Sequence, residues 1–125
     1  MKTTIEVDLK WYYLDQNNSG GYFIRNETVQ EYVLIQAVSP EDAETRANHI
    51  VEDYSSYCDC CGERWSVWFT ERDGTDEPCI YDKPLDEVDP GWCSQNAVLH
   101  YFDGTKRFYK FGEGFVPYEQ LEDDE

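Results

Sequence analysis

The dipeptide Asp103-Gly104 constrains the fold of this chain more than any other feature of its sequence. It separates two runs rich in apolar and aromatic residues, Ala97–Phe102 and Thr105–Phe111. Asp-Gly between two such runs is the strongest short signal for a β-hairpin, because the tight turn needs residues that tolerate a positive φ. The sequence therefore predicts a hairpin near the C-terminus.

Three earlier segments also have the pattern of strands. In Ile5–Leu14, apolar residues alternate with charged ones, which is typical of a half-buried strand. The turn cluster Asn17–Gly21 leads into the predicted strands Tyr22–Arg25 and Tyr32–Val38. Because the loops between these segments are short, antiparallel neighbours are expected.

A helix is predicted directly after the third strand. Ser39 is suited to the N-cap and Pro40 to the first helical position, and acidic residues follow in the first turn. The apolar stripe at helical spacing consists of Ala43, Ala47, Ile50, Val51 and Tyr54. This stripe predicts a helix that lies across the sheet and ends near Tyr54.

The remaining segments complete a prediction of the fold class. Arg64–Thr70 is a strand candidate rich in aromatic residues, whereas residues 71–96 contain several Pro and Gly breakers and predict loops. Together the segments predict an α+β fold: an antiparallel sheet with one amphipathic helix (about 40–54) packed on a face and a C-terminal β-hairpin. Residues 1–118 are expected to form a single domain, and residues 119–125 an acidic tail.

The charge of the chain excludes several classes of partner. The 125 residues contain 27 Asp and Glu against 10 Lys and Arg, a formal net charge of −17. Such a chain has no basic surplus for binding nucleic acid or an anionic membrane directly. An aromatic content of 16% argues against disorder. Without a signal-peptide pattern or a long apolar window, the protein is expected in a reducing cytoplasm.

The cysteines favour reduced thiols or a metal site over disulfides, because their number, five, is odd and no secretory signal is present. Cys58 and Cys61 form a C-x-x-C-G unit, a spacing that lets two thiolates reach one zinc ion. Cys79 and Cys93 would complete a four-ligand site, with the two histidines as substitutes. Zinc is therefore a possible cofactor, and unligated reduced thiols are the alternative.

The cysteine-containing segment resembles known proteins. The string Cys58-Asp-Cys-Cys-Gly-Glu-Arg64-Trp65 is followed by Asp73-Gly74 and then by Pro-Cys-Ile-Tyr at residues 78–81. Over residues 54–82 this pattern is similar to small uncharacterised proteins of tailed bacteriophages. The resemblance implies a phage accessory protein made in the bacterial host cytosol, and it carries over no catalytic residue.

Acidic residues are concentrated between positions 71 and 90, where only Arg72 and Lys83 oppose them. The candidate acidic face consists of Glu71, Asp73, Asp76, Glu77, Asp82, Asp86, Glu87 and Asp89. Carboxylates on a rigid scaffold can imitate the phosphates of duplex DNA and dock on a basic protein surface. The alternatives are a solubilising surface and a calcium site, although the spacing of an EF-hand is absent.

Catalysis is not predicted. His49 lies in the predicted helix and His100 in a predicted strand, and no local nucleophile or phosphate-binding motif accompanies them. The aromatic residues exceed what one small core must bury, so some rings should mark an interface or line a pocket for a stacked nucleotide. A thick two-sided core or a homodimer face would account for them equally well.

These observations lead to one preferred function and two alternatives. The preferred function is a non-catalytic phage accessory protein that inhibits a host or anti-phage defence protein with a basic surface, through an acidic, DNA-mimic-like face. The first alternative is a zinc-stabilised structural or assembly module. The second is a nucleotide-binding sponge, which would require Arg25, Arg64, Lys106 and Arg107 to converge.

Overall fold

Strands that precede the helix and strands that follow it combine in one sheet. The computed structural model describes residues 9–16, 24, 26–54, 57–58, 62–63, 65, 67–80, 83–88 and 96–120. The elements in chain order are β1 (Lys10–Asp15), β2 (Tyr32–Ala37), α1 (Pro40–Val51), β3 (Tyr57–Cys58), β4 (Gly62–Glu63), β5 (Cys79–Ile80), β6 (Lys83–Pro84), β7 (Asn96–His100), β8 (Lys106–Lys110) and β9 (Gly114–Val116). The order in the main sheet is β1-β2-β7-β8-β9, while β3–β4 and β5–β6 form two short antiparallel pairs.

The predicted α+β class is confirmed, and the main sheet is mixed rather than purely antiparallel. The β1–β2, β7–β8 and β8–β9 pairs are antiparallel, as expected. The central pair, β2–β7, is parallel, with Val33 opposite Val98 and Ile35 opposite His100. Parallel strands need a long crossover, and residues 38–95, which include α1, provide it. The short-loop argument could not find this pair because its two strands are far apart in sequence.

The helix forms where the sequence predicts it. The Ser39 hydroxyl accepts a hydrogen bond from the Asp42 backbone N–H at 3.0 Å, and Pro40 occupies the first turn. Ala43, Ala47 and Val51 are buried against the sheet. The α-helix ends at Val51, and a 3₁₀ turn continues the chain over Glu52–Tyr54.

Both faces of the sheet are covered, so the molecule has two hydrophobic cores. The first core lies between the sheet and α1 and also includes Trp65 and Phe69. The second core lies on the opposite face and includes Trp11, Leu34 and Leu99. Neighbouring residues of β1 therefore enter different cores, and both Trp11 and Tyr12 are buried. The alternative of a two-sided aromatic core is the arrangement found.

The C-terminal hairpin is confirmed as β7–β8. The Tyr101 N–H donates to the Thr105 carbonyl at 2.9 Å, and Phe102–Gly104 form the loop between them. Gly104 takes a φ of +92°, the left-handed conformation that closes a three-residue loop. Its N–H donates to the Tyr101 carbonyl at 3.0 Å.

Two strand predictions were wrong where the structure describes the residues. In Arg64–Thr70, Trp65 and residues 67–70 form no strand. Instead, Trp65 and Phe69 enter the first core, and the Trp65 indole N–H donates to the Tyr54 carbonyl at 3.3 Å. In Tyr22–Arg25, Ile24 is not in a strand, and the other three residues lie outside the described part.

The predicted chain ends are described only in part. The first strand begins at Lys10, whereas residues 5–8 of the predicted strand and residues 1–8 of the predicted domain lie outside the described residues. Of the predicted acidic tail, residues 121–125 also lie outside them, while a 3₁₀ turn covers Tyr118–Gln120. In the part of the chain described, no helix is long and apolar enough to cross a membrane.

Candidate functional site

Four of the eight residues of the predicted acidic face belong to a segment that crosses the second face of the sheet. We call residues 75–80 and 83–88 the covering segment. It begins at the edge strand β1, where the Trp11 N–H donates to the Thr75 carbonyl at 2.8 Å and the Thr75 N–H donates to the Trp11 carbonyl at 3.0 Å. Gly74 allows this approach, since a Cβ there would lie 2.9 Å from the Tyr12 hydroxyl oxygen. The covering segment is thus fastened to the sheet at its start.

Buried apolar side chains pack the rest of the covering segment onto the sheet. Ile80, on β5, is 1% exposed, and Leu85, just after β6, is 6% exposed. Both belong to the second core with Leu34 and Leu99 of the central strands. Burying such a side chain contributes about 1.5–3 kcal/mol, so these two residues anchor the segment on the sheet.

The carboxylates of the covering segment face away from this apolar base. Asp76, Glu77, Asp86 and Glu87 are all exposed, and we call these four the acidic layer. Lys10 of β1 forms an ion pair with Asp76. No ion pair to Glu77, Asp86 or Glu87 is found among the described residues. The layer therefore keeps most of its negative charge.

Burial, and to a smaller extent nearby carboxylates, raise the pKa of two tyrosines of the second core. Burial raises the pKa of Tyr109, and the nearby Asp86 carboxylate raises it further. Burial also raises the pKa of Tyr32, with a smaller contribution from the charge of Asp15 at the end of β1. The effect of Asp86 on Tyr109 indicates that this carboxylate lies near β8, three strands away from the β1 edge where the segment begins.

The other predicted acidic residues have different positions. Asp73 is exposed, but its Oδ2 accepts hydrogen bonds from the Thr70 N–H at 2.6 Å and the Thr70 hydroxyl at 3.0 Å. Its carboxylate therefore stabilises the 3₁₀ turn that Glu71 begins. Asp82 and Asp89 lie outside the described residues.

The cysteine predictions are covered only in part. Cys58 lies on β3 opposite Gly62 of β4, so a short antiparallel hairpin brackets the C-x-x-C-G unit. Cys79 lies on β5, whereas Cys61 and Cys93 lie outside the described residues. The described residues contain no group of three or more His, Cys, Asp or Glu placed to hold a metal ion. Zinc binding stays a prediction.

The two histidines line the same small cleft, between α1 and the end of β7. The cleft measures about 170 Å³, and Arg46 and Gln36 also line it. His100 Nε2 lies 2.8 Å from the Thr28 carbonyl oxygen. Burial lowers the pKa of His100, which favours its neutral form. Among the described residues of the lining there is no serine, cysteine or carboxylate that could act as a nucleophile with these imidazoles.

Part of the predicted basic cluster lies at the opposite edge of the sheet. Lys106 and Arg107 line an open groove of about 490 Å³ together with Phe115 and Tyr118. The Arg107 guanidinium lies 3.9 Å from the centre of the Phe115 ring. Arg25 and Arg64, the other two members of the predicted cluster, lie outside the described residues.

The anchors of the covering segment were missed by sequence reasoning. Thr75, Ile80 and Leu85 stand among Pro, Gly and acidic residues, a composition typical of a solvated loop. The available signal was the recurrence of the isolated apolar residues Ile80, Leu85 and Val88 in this polar segment. Isolated apolar residues of this kind can anchor a loop on a sheet face.

Comparison with known proteins places the chain in a family. A protein-family model described as "Domain of unknown function (DUF7296)" matches residues 9–118. This match spans the sheet, the helix and the covering segment. A search of curated proteins and a search of solved structures found no match to the chain.

Proposed function

We propose that this chain, which belongs to the DUF7296 family, is a non-catalytic binding domain that presents its acidic layer to a basic surface of another protein and inhibits that protein. The proposal rests on the attachment of the covering segment to the second face of the sheet. Its backbone pairs with Trp11, its side chains Ile80 and Leu85 are buried, and its four exposed carboxylates face outward.

A fastened segment makes a better electrostatic ligand than a free acidic loop. Ordering a flexible segment on binding costs conformational free energy, and a segment already packed on a sheet avoids most of that cost. Opposite charges also steer the two partners together and raise the association rate. The acidic layer therefore supports tight, salt-sensitive binding to a basic protein.

The class of partner follows from the chemistry and from the resemblance of residues 54–82 to tailed-bacteriophage proteins. A surface that carries carboxylates at fixed positions competes with phosphates for Lys and Arg side chains. We therefore propose a phage-encoded protein that acts in the bacterial cytoplasm on a host or defence protein whose basic surface normally contacts nucleic acid.

Affinity capture from a bacterial lysate tests this proposal. The wild-type protein is compared with a layer variant, Asp76→Asn/Glu77→Gln/Asp86→Asn/Glu87→Gln, at 50 and 500 mM salt. We expect a basic nucleic-acid-binding protein to be retained by the wild type at low salt and lost at high salt, because screening weakens exposed charge pairs. The layer variant should retain much less of it.

A matched control separates the layer from net charge. The control variant is Glu27→Gln/Glu41→Gln/Glu44→Gln/Asp53→Asn, which removes the same number of charges away from the covering segment. It should retain the captured protein as the wild type does. Equal loss in both variants, or retention that does not change with salt, would contradict the proposal.

A zinc-stabilised module is the second candidate, favoured by the β3–β4 hairpin around the C-x-x-C-G unit. Two thiols separated by two residues, as in Cys58 and Cys61, are suited to half of a tetrahedral zinc site. If zinc is structural, the purified protein should contain one zinc per chain, and a chelator should lower its melting temperature. A zinc-free protein with an unchanged melting temperature would exclude this candidate.

A further inference from the structure

Trp68 is the most exposed large apolar side chain in the described part of the chain, with 73% of its surface accessible. Its neighbour Phe69 is 7% exposed and packs against Tyr12 of β1, with 5.3 Å between the ring centres. The backbone at this point is therefore held by the first core, and Trp68 is held outside it. Exposed tryptophans on a fixed backbone are characteristic of binding contacts.

Trp68 borders a cleft at the outer edge of the sheet. The cleft measures about 340 Å³ and lies between the edge strand β1 and residues 68–73. Its lining consists of Tyr13, Leu14, Asp15, Trp68, Phe69 and Asp73. Its described lining thus combines aromatic rings with two carboxylates and includes no basic side chain.

The carboxylates of the cleft are fixed in place or lie at its rim. Asp73 is held by the hydrogen bonds of its Oδ2 with Thr70, and Asp15 is exposed at the end of β1. An aromatic face next to carboxylates attracts a cation, and tryptophan is the strongest of the aromatic partners. A guanidinium suits such a site best, because it can stack on a ring and pair with a carboxylate at the same time.

The chain itself uses this combination elsewhere. The Arg46 guanidinium lies 4.2 Å from the centre of the Phe102 ring, and its Nε donates to Asp42 Oδ2 at 3.0 Å. Arg107 covers the exposed ring of Phe115 in a similar way. Both phenylalanine rings that are exposed in the described part of the chain are thus covered by an arginine of the same chain. Trp68 is more exposed than either, and no described arginine covers it.

We propose that the Trp68 cleft binds an arginine side chain of the partner protein, with the guanidinium stacked on Trp68 and paired with Asp73 or Asp15. This inference rests on the proposed function, since it supplies the specific contact that a basic partner makes beside the acidic layer. It names arginine as the residue that the cleft selects.

The test uses the full chain and N-acetyl-arginine amide as the probe. The tryptophan indole N–H signals are followed by NMR, with Trp68→Phe used to assign the Trp68 signal. N-acetyl-lysine amide and the uncharged N-acetyl-citrulline amide are titrated at the same ionic strength. We expect a saturable shift of the Trp68 signal with arginine, a weaker one with lysine and none with citrulline.

Two substitutions locate the site. Trp68→Ala should weaken arginine binding about fivefold or more, as the loss of a cation–π contact implies. Because Trp68 is largely exposed, this variant should keep the melting temperature of the wild type. Phe115→Leu, at a ring already covered by Arg107, should leave arginine binding unchanged. The inference would be overturned if the Trp68 signal shifted equally with arginine and citrulline, shifted equally with arginine and lysine, or showed no saturable shift.

The inference and the proposed function can fail separately. If Trp68→Ala loses arginine binding while the layer variant retains its captured partner, the arginine site at Trp68 is supported and the acidic layer is not the docking surface. If the layer variant loses the partner while Trp68→Ala retains it with undiminished affinity, the proposed function stands and the arginine site is wrong.

Discussion

His100 connects two parts of the fold that are far apart in sequence. It lies on β7, and its Nε2 is 2.8 Å from the carbonyl oxygen of Thr28, which precedes β2. Burial lowers its pKa, and the positive charge of Lys106 lowers it further, whereas the bond to Thr28 acts in the opposite direction. The neutral imidazole therefore donates its Nε2 proton to Thr28. Sequence reasoning treated this residue as a candidate ligand or base, and the structure assigns it a hydrogen bond between elements.

The pH dependence of the free energy of unfolding should reflect the buried environment of His100. Because the pKa of His100 is lower in the folded state than its ordinary value of 6.5, the unfolded chain binds more protons as the pH falls through that value. The contribution of His100 to the free energy of unfolding is complete above pH 6.5 and is lost as the pH falls toward the folded-state pKa. His100→Gln, which keeps a donor for Thr28, should not show this loss.

Urea unfolding of both proteins at pH 7.5 and pH 5.5, at constant ionic strength, measures the difference. The wild type should lose stability relative to His100→Gln between the two values. The many carboxylates affect both proteins alike and cancel in the comparison. Parallel pH profiles would show that protonation of His100 does not oppose folding.

Among the elements, the covering segment contributes most to the proposed site. Its described regular structure consists of short pieces only, the two-residue strands β5 and β6 and the 3₁₀ turn Leu85–Glu87. Its position depends instead on the bridge to Trp11 and on the burial of Ile80 and Leu85. Its order is therefore tied to the second core, so loss of a core contact should loosen the acidic layer.

Ile80→Ala tests this dependence. Removal of a fully buried isoleucine side chain should lower the free energy of unfolding by about 2–4 kcal/mol, because it leaves a cavity next to Leu34 and Leu99. Amide hydrogen exchange should rise in the covering segment, including at Thr75, more than in α1. Urea unfolding measures the change in the free energy of unfolding, and hydrogen-exchange mass spectrometry measures the change in amide exchange.

Val38→Ala is the control for this experiment. Val38 is 44% exposed, and its truncation should change the free energy of unfolding by no more than about 0.5 kcal/mol. If Ile80→Ala costs no more than this control, the covering segment is not anchored through the second core.

Local signals predicted the elements that depend on local interactions. The N-cap at Ser39, the apolar stripe of α1 and the Asp-Gly hairpin are all determined by residues a few positions apart. The parallel β2–β7 pair and the bridge between Trp11 and Thr75 join residues about 60 positions apart. Periodicity in the sequence carries no information on such pairings.

The candidate site was predictable in composition but not in geometry. The eight acidic residues were found from the sequence, yet only the four of the acidic layer are described as exposed on the covering segment. Asp73 stabilises a local turn because its carboxylate accepts a hydrogen bond from the Thr70 N–H. Whether this bond forms depends on the backbone conformation, which the sequence pattern does not give. The exposure of Trp68 beside the buried Phe69, by contrast, agrees with the alternation expected for Arg64–Thr70, although the described residues of this segment form no strand.

At the scale of the whole molecule, charge is distributed unevenly across the sheet. The acidic layer lies over the second face, whereas the basic side chains Lys106 and Arg107 lie at the edge formed by β8 and β9. In the proposed function, a net charge of −17 with this asymmetry would orient the molecule toward a basic partner before contact. The central claim is that the acidic layer, and not the net charge alone, makes that contact.

The salt dependence of affinity for the purified captured partner tests this claim most directly. The dissociation constant is measured between 50 and 500 mM salt for the wild type, the layer variant and the control variant. Each variant neutralises four carboxylates of a chain with net charge −17, so both variants have a formal net charge of −13. We predict a steep rise of the dissociation constant with salt for the wild type and the control variant, and a shallower rise from a weaker starting value for the layer variant. Identical salt dependence and identical affinity for the two variants would contradict the account.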